Sequence, residues 1–266
     1  MNKFYIHGDV HGSPVKELSF KRCPELRNTD RSDVVFFLGD FGVPFGIKAP
    51  SYMKDYYKSD RYQARWLNNQ PYTSVVLLGN HDDRDAIKEM PIVEKFGGKL
   101  RQLSFCGETY ENIFLVEGTQ ILNICDKTCL VISGANSHDI WNKPLDPADK
   151  NFKQELKRYR KNHQFIRVKH WSWWEDEDVD IEQASKVVED NKNTHFDLIL
   201  THNCPEIYFY ERHYMCVRDE SDDTNKFFDS LRLSLNFDNW YHGHMHEDVD
   251  YDGGKLHCRY RCLEKL

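Results

Sequence analysis

The chain has 266 residues and a formal net charge of −7 at pH 7. This length is sufficient for a large hydrophobic core, and the lack of any apolar run of about 18 residues or more excludes a helical membrane protein. The acidic balance excludes a protein that coats nucleic acids generally, although it is compatible with a local basic patch and with a nucleotide or nucleic-acid substrate.

The N-terminus and the cysteines indicate the cellular compartment. The first residues enter a strand directly, without the segments of a signal peptide, so we expect a cytoplasmic protein. The eight cysteines are scattered, and none of them forms a C-x-x-C pair. Cys125 and Cys129, and likewise Cys258 and Cys262, lie four residues apart on predicted strands. This spacing favours packing on one face in the core over a disulfide framework.

The first half of the chain alternates predicted strands and helices. Apolar runs mark the strands, and apolar spacing or a terminating proline marks the helices. In chain order we predict a strand at 3–7, a helix from Ser13, a strand at 34–39, a helix at 62–68, a strand at 74–78 and a helix at 83–90 that ends before Pro91.

The second half mixes hairpin-connected strands with strand–helix units. The runs IFLVEG, TQILNIC and CLVISGA predict a second sheet. They are followed by a predicted helix at 181–192, a strand at 197–200, a helix at 224–235, a strand at 240–241 and a C-terminal hairpin with its turn at 252–254. Together the elements predict an α/β fold in which two sheets pack face to face with helices outside.

Five clusters of Asp, Asn and His follow predicted strands across almost the whole chain. They read FYIHGDVHG, VVFFLGDFG, SVVLLGNHD, DLILTH and WYHGHMHED. Each turns from apolar to polar at the strand end, where open α/β sheets place their ligand sites. If these ends converge, they bring together Asp9, His11, Asp40, Asn80, His81, His202, His244 and His246. Oxygen and imidazole ligands of this kind suit Mn, Fe, Zn or Ni.

Each cluster taken alone also has a purely structural explanation. Asp9 and Asp40 follow glycines and are typical of turns or helix N-caps. His202 is compatible with a buried core histidine, and His244 and His246 with a polar strand edge. The occurrence of all five clusters in one chain favours the metal site over these explanations.

The series of clusters resembles the pattern of the calcineurin-like metallophosphoesterase superfamily. That pattern is D-x-H, G-D, G-N-H-D/E, a lone His and G-H-x-H, and this chain has each part in order. The GANSHD segment at 134–139 and the tryptophan-acid run at 171–180 resemble a small phage and bacterial branch of the superfamily. The resemblance implies a four-layer α/β/β/α sandwich of two mixed sheets flanked by helices.

The resemblance also implies roles for the individual residues. Asp40 would bridge two divalent ions, Mn²⁺ foremost with Fe, Zn, Ni or Mg as alternatives, and a hydroxide between the ions would attack the phosphate ester. The first ion would be held by Asp9, His11 and His246, and the second by Asn80, His202 and His244. His81 would assist the leaving group. Substrate contacts are expected from Asn80, His81 and Arg84.

Several substrate classes stay open. The GDVHG and GNHDDR segments resemble protein serine/threonine phosphatases and dinucleoside polyphosphatases, but G-D-F-G stands where those enzymes have G-D-x-x-D-R-G. A phosphodiesterase acting on cyclic nucleotides or nucleic-acid ends is an equal alternative. A different class, a metal-free interaction module on the same fold, is disfavoured because no ligand of the pattern is missing.

We interpret the chain as one metallophosphoesterase domain over 1–266 that carries an insertion at 142–170. The insertion is basic, with Lys or Arg at positions 150, 153, 157, 158, 160, 161, 167 and 169. Phe152, Leu156 and Tyr159 have helical spacing, which predicts an amphipathic helix. Two interpretations stay open: a cap that recruits an anionic substrate beside the metals, or a solvated hairpin whose tryptophans pack on the domain.

Overall fold

The computed structural model describes residues 2–50, 55–138, 140, 143–164, 166–212 and 221–266, with the backbone alone at 55–58. Cys216, Asp139 and two positions of the predicted insertion, 142 and 165, therefore lie outside the described residues. Within the described ranges thirteen strands, numbered in chain order, form two mixed sheets.

The first sheet has seven strands in the order β13-β1-β2-β3-β6-β5-β4. Their bounds are β1 Phe4–His7, β2 Val34–Phe37, β3 Thr73–Leu77, β4 Ile92–Lys95, β5 Gly98–Phe105, β6 Glu108–Val116 and β13 Leu263–Lys265. The central strands β1, β2, β3 and β6 run parallel, and the edges are antiparallel. The parallel strands therefore deliver their C-terminal ends to one edge of the sheet.

The second sheet has six strands in the order β11-β12-β10-β9-β8-β7. Their bounds are β7 Thr119–Ile124, β8 Lys127–Ile132, β9 His195–Thr201, β10 Asn236–His242, β11 Val249–Tyr251 and β12 Leu256–Cys258. Strands β8, β9, β10 and β12 run parallel. The predicted C-terminal hairpin is confirmed, because β11 and β12 pair antiparallel across a turn at Asp252–Gly254.

Seven α-helices complete the described fold. They are α1 Pro14–Leu18, α2 Asp55–Asn68, α3 Arg84–Lys88, α4 Phe152–Lys161, α5 Ile181–Asp190, α6 Ile207–Arg212 and α7 Asp223–Ser234. Aspartates fix several starts: the side chains of Asp83 and Asp180 accept from backbone N–H groups in the first turns of α3 and α5. Among the described residues, no helix combines the length and apolar character that crossing a membrane requires.

The core has three layers because the central strands are apolar on both faces. Phe4 and Ile6 point between the two sheets, where Leu198 and Leu200 of β9 meet them. Tyr5, between them in sequence, points to the opposite face. This alternation follows from the two-residue period of a strand. A third cluster covers the outer face of the second sheet beneath α5, α6 and α7. The expected α/β/β/α sandwich is confirmed.

One predicted strand lies in a different sheet than expected. The run IFLVEG forms the end of β6, which pairs parallel with β3 in the first sheet, whereas TQILNIC and CLVISGA form the β7–β8 hairpin of the second sheet. The chain passes from the first sheet to the second through Glu117 and Gly118. In the sequence, a connection of two residues looks the same as a hairpin turn. Strands β4, β5 and β13 and helix α6 were not predicted.

The cysteine prediction is correct only in part. All seven described cysteines are free, and Cys129 and Cys258 are buried. Cys125, however, occupies the turn between β7 and β8, and Cys262 is exposed after β12. In neither pair do the two cysteines lie on the same face of one strand. The turn between β7 and β8 separates Cys125 from Cys129, and β12 ends at Cys258, before Cys262.

The described part of the basic segment folds into a helix, and an isolated β-bridge joins residues on either side of it. Helix α4 matches the amphipathic prediction, since Phe152 and Leu156 are buried. They pack with Leu145, Val168 and Trp171 in a small cluster. A backbone bridge joins Leu145 to Val168 and closes the segment. The lysines and arginines of the helix surface face solvent.

Candidate metal centre

The five polar clusters converge where the parallel strands of both sheets end. The backbone N–H of His11 donates to Asp40 O at 2.9 Å, which joins the loops after β1 and β2. The backbone N–H of His244 donates to Asp9 Oδ1 at 3.1 Å, which joins the two sheets. His81 N donates to Asp40 Oδ1 at 2.8 Å. Loops from four strands are therefore fixed around one point.

The outer cluster, as we term it, consists of Asp9, His11 and His246, whose ligand atoms all lie within 4.8 Å of one another. His11 Nε2 and His246 Nε2 are 2.9 Å apart, and His246 Nε2 lies 3.2 Å from Asp9 Oδ2. Two imidazole nitrogens at this distance require a proton or a metal ion between them. The side chains of His11 and His246 are 34% and 48% exposed, so this cluster opens to solvent.

The inner cluster consists of Asp40, His202 and His244. His202 Nδ1 donates to Leu38 O at 2.6 Å, which turns Nε2 toward Asp40 Oδ1 and Asn80 Oδ1, each 3.2 Å away. Both oxygens are acceptors, so a cation must occupy this point, either a proton on Nε2 or a metal ion. The buried Nε2 of His244 has no hydrogen-bond partner among the described residues. These donor atoms fit a divalent metal ion.

Asp40 belongs to the inner cluster and also forms a third group of possible ligand atoms with His11 and His81. Its Oδ1 faces His202, and its Oδ2 lies 4.0 Å from His11 Nδ1. The side chain is almost completely buried. A carboxylate shared between two groups of ligand atoms has the position that a bridging ligand requires.

Charge in the inner cluster is balanced by the Asp40–His202 pair. Burial alone raises the pKa of Asp40, but the imidazole of His202 outweighs it and holds that pKa well below its usual range. Burial likewise lowers the pKa of His202, and the Asp40 carboxylate reverses this and raises it to about 9. Burial then lowers the pKa of His244 well below its usual range, with the His202 charge adding to the effect. The cluster thus keeps one neutral imidazole available as a ligand.

Two glycines permit the close approach of these groups. A Cβ at Gly79 would lie 2.3 Å from Asp40 Oδ1 and 2.6 Å from His202 Nε2. A Cβ at Gly243 would lie 2.4 Å from Asp9 Oδ1. No side chain fits in either place without displacing a candidate ligand. The glycines of G-N-H and G-H-x-H are therefore part of the site.

Ser137 orients the amide of Asn80. Asn80 Nδ2 donates to Ser137 Oγ at 3.2 Å, which leaves Asn80 Oδ1 facing His202. Ser137 is in turn held by its backbone N–H, which donates to Glu177 Oε1 at 3.0 Å. The GANSHD segment thus supports the inner cluster from outside the ligand set.

We expect Ser137→Ala to weaken metal binding at the inner cluster about 10–100-fold, because the Asn80 amide loses the partner that fixes its oxygen. Calorimetric titration with Mn²⁺ measures this as the loss of one of two binding steps. Ser133→Ala is a matched control, since the Ser133 hydroxyl accepts from Gly118 N and does not contact the clusters. Two unchanged binding steps in the Ser137 variant would contradict the assigned role.

His81 lies beside the clusters and contacts an arginine that was not singled out. His81 Nε2 is 3.9 Å from Asp40 Oδ2. Arg167 Nη2 lies 2.7 Å from His81 Nε2, and Arg167 Nη1 lies 3.2 Å from His81 Nδ1. Arg167 comes from the basic segment and is only 2% exposed. The sequence did not single out Arg167 because it is one of eight basic residues in that segment.

Arg84, predicted to contact the substrate, has a different environment. It is 4% exposed, and its Nη2 donates to Gly79 O at 3.2 Å and to Glu177 O at 3.0 Å. These bonds tie the G-N-H loop to the segment that follows the tryptophans. The geometry favours a supporting role for Arg84, and a substrate contact stays a prediction.

A cavity of about 320 Å³ adjoins the clusters on the His81 side. It is lined by His11, His81, Ser13, Phe45 and Asp60, among others. The ring of Phe45 is inclined by 30° to that of His81, with centroids 6.5 Å apart. The cavity therefore offers an aromatic wall, hydroxyl groups and a carboxyl group next to the candidate metal ligands.

The carboxyl group in this cavity gives a pH-dependent prediction. Burial raises the pKa of Asp60 to about 6, so between about 4 and that value the folded state holds more protons than the unfolded chain. Its contribution to stability is therefore lost as the pH rises through this window. We expect Asp60→Asn to be more stable than the parent at pH 8, by on the order of 2 kcal/mol, and equally stable near pH 4.

Urea unfolding at several pH values measures this difference. The variant keeps the acceptor for Phe45 N, which bonds to Asp60 Oδ2 at 3.1 Å. Asp223→Asn serves as the control because the Asp223 side chain is 90% exposed. A constant difference between Asp60→Asn and the parent at all pH values would show that Asp60 titrates normally.

Comparison with known proteins gives one family and several structural resemblances. A family model described as calcineurin-like phosphoesterase matches residues 3–248. No curated protein matches the chain significantly.

Among solved structures, a phosphopantetheinyl hydrolase from Mycobacterium tuberculosis is 11% identical, with 100% of this chain and 95% of that chain covered and a TM-score of 0.41. A protein of unknown function from Aquifex aeolicus is 15% identical, with coverages of 98% and 90% and a TM-score of 0.32. A protein assigned as a 5′-nucleotidase from Staphylococcus aureus is 14% identical, with coverages of 97% and 48% and a TM-score of 0.47.

The family model spans all five polar clusters, since it runs from before Asp9 to beyond His246. Members of the family generally bind divalent metals, and the two groups of His and Asp side chains in this chain are compatible with that. The chain therefore belongs to the calcineurin-like phosphoesterase family and is a hydrolase of phosphate esters.

Proposed function

We propose that this chain hydrolyses phosphate esters with two divalent metal ions, Mn²⁺ foremost, held side by side at the strand ends. Asp9, His11 and His246 would hold one ion, Asn80, His202 and His244 would hold the other, and Asp40 would contact both. When bound, the ions supply an activated water molecule and neutralise the charge of the phosphate. The observation that carries the proposal is the convergence of acceptor atoms on His202 Nε2.

The protein side chains would bind the metal ions, contact the phosphate and donate a proton. Asp40 and the imidazoles would hold the cations, and Asn80 would add an oxygen ligand without adding negative charge near the incoming anion. His81, which lies 3.9 Å from Asp40, is placed to contact the phosphate and to donate a proton to the departing oxygen. The cavity lined by Phe45 and Asp60 accommodates the alcohol portion of the ester on the same side.

An activity screen of the Mn-loaded protein tests this function. The substrates are p-nitrophenyl phosphate, bis-p-nitrophenyl phosphate, cyclic nucleotides, dinucleoside polyphosphates and a phosphopeptide. We expect hydrolysis that a chelator abolishes and Mn²⁺ restores. Elemental analysis should give two metal ions per chain. A folded protein that binds no metal after Mn loading would refute the proposal.

The screen also separates the substrate classes. Preference for the phosphopeptide would indicate a protein phosphatase, and preference for cyclic nucleotides or bis-p-nitrophenyl phosphate would indicate a phosphodiesterase. Absence of both metal binding and hydrolysis in the folded protein would support the metal-free interaction module.

A further inference from the structure

We propose that Arg167, supplied by the basic segment, binds the phosphate group of the substrate beside His81 and gives the site a preference for terminal phosphate monoesters over diesters. This inference rests on the proposed phosphoesterase function and deepens it by naming the substrate class. It also selects the cap interpretation of residues 142–170 over the solvated hairpin.

The first argument is the position of the guanidinium group. Both terminal nitrogens of Arg167 lie within 3.2 Å of the His81 ring, and His81 in turn lies next to Asp40 of the inner cluster. A phosphate ester bound at the two clusters would therefore meet Arg167 and His81 together. The planar fork of an arginine matches two phosphate oxygens, which a lysine does not.

The second argument is that Arg167 is held in place before any substrate arrives. Its Nη1 donates to Ser172 O at 2.8 Å. Its backbone O accepts from Leu145 N at 2.9 Å, in the bridge that closes the segment. The next residue, Val168, belongs to the small apolar cluster with Phe152. Binding therefore requires little further ordering of this side chain, which favours affinity.

The third argument is the way the segment is anchored beside the site. His170 Nδ1 lies 2.7 Å from Asp85 Oδ2, at the start of α3, and Lys48 Nζ lies 3.2 Å from the same oxygen. Phe45, which faces His81 in the cavity, also contacts the ring of the buried Trp174 at 5.7 Å. The segment is thus docked on the loops that carry the G-N-H motif and the cavity wall.

The preference for monoesters follows from charge. A phosphate monoester carries nearly two negative charges above pH 7, because its second pKa is about 6, whereas a diester carries one. The Coulomb attraction of a fixed guanidinium is therefore about twice as large for the monoester at equal distance. A monoester also offers three unsubstituted oxygens, enough for contacts to two metal ions and to Arg167.

The experiment compares Arg167→Ala, Arg167→Lys and the control Lys169→Ala in the full-length Mn-loaded protein. Lys169 belongs to the same segment and carries the same charge, but it pairs with Glu175 at 3.2 Å. Kinetics are measured with p-nitrophenyl phosphate and bis-p-nitrophenyl phosphate, and binding of inorganic phosphate is measured by calorimetry. Metal content and the thermal midpoint are determined for each variant.

For Arg167→Ala we expect unchanged metal content, a Kd for inorganic phosphate raised about 10–100-fold, and a similar fall in kcat/KM for the monoester. The diester, with about half of that attraction, should lose about 3–10-fold. Arg167→Lys should lie between the alanine variant and the parent, since it keeps the charge without the fork. Added guanidinium at millimolar concentration should restore part of the monoester activity of Arg167→Ala.

Equal losses on both substrates, with the phosphate Kd unchanged, would overturn the inference and leave Arg167 a structural residue. If Arg167→Ala disturbs the fold, the Arg167→Lys variant tests the inference instead. Phosphate binding and monoester selectivity equal to those of the parent in that variant would also overturn the inference. The proposed function fails differently, by absence of metal binding and hydrolysis in the parent protein itself.

Discussion

Asp40→Asn is expected to abolish hydrolysis while leaving the chain folded. The substitution removes a carboxylate that belongs to the inner cluster and lies 4.0 Å from His11 of the outer cluster. Substitution of a residue that only hydrogen-bonds to a metal ligand already lowers metal affinity or activity about 10–100-fold. Loss of a ligand itself should therefore lower activity by more than that. Elemental analysis should show fewer than two metal ions per chain.

The fold should tolerate this change for two reasons. Asp40 has a left-handed backbone conformation, with φ 48°, which asparagine adopts more readily than most residues. The amide oxygen of an asparagine can still accept the hydrogen bond from His81 N. Far-ultraviolet circular dichroism and the thermal midpoint should therefore stay close to those of the parent protein.

Asp197→Asn is the matched control for this variant. Asp197 lies near the start of β9, at the opposite end from His202, and its carboxylate accepts from Thr128 N. The control should keep both metal ions and full activity. Parent-like turnover in Asp40→Asn would show that the bridging role belongs to another group.

The convergence of the candidate ligands was predictable from the sequence because these polar residues directly follow strands. Each cluster follows an apolar run directly: His202 comes one residue after β9, and Asp40 comes three residues after β2. Parallel strands then bring such ends to one edge without any further information. Glycines such as Gly79 mark the same places because a side chain would collide with the ligands. Local pattern and topology were sufficient to predict this convergence.

The supporting residues were not predictable because their partners are distant in sequence. Arg167 is 86 positions from His81, and Ser137 is 57 positions from Asn80. The local sequence does not distinguish Arg167 from the exposed lysines of the same segment. Arg167 is buried only because the whole segment packs against the rest of the fold. The position of β6 was missed for a similar reason, because strand pairing is a tertiary choice that an apolar run does not encode.

His81→Ala is expected to keep both metal ions and to lower kcat by about 10²–10⁴-fold, as for the loss of a general acid. His81 follows Asn80 at the end of β3, where consecutive side chains normally diverge. Its backbone N–H bonds to Asp40, while its ring contacts Arg167 and lines the cavity beside Phe45. The ring therefore adjoins the cavity in which we propose that the ester binds.

The size of the loss should depend on the leaving group. An alkoxide departs poorly without a proton, so alkyl phosphates should suffer most, whereas p-nitrophenolate departs readily and should suffer least. His195→Ala is the control, since His195 pairs with Asp238 at the far end of β9. A uniform loss for all leaving groups would mean that His81 only binds phosphate. Loss of a metal ion would instead make His81 a ligand, in the group of possible ligand atoms that it forms with His11 and Asp40.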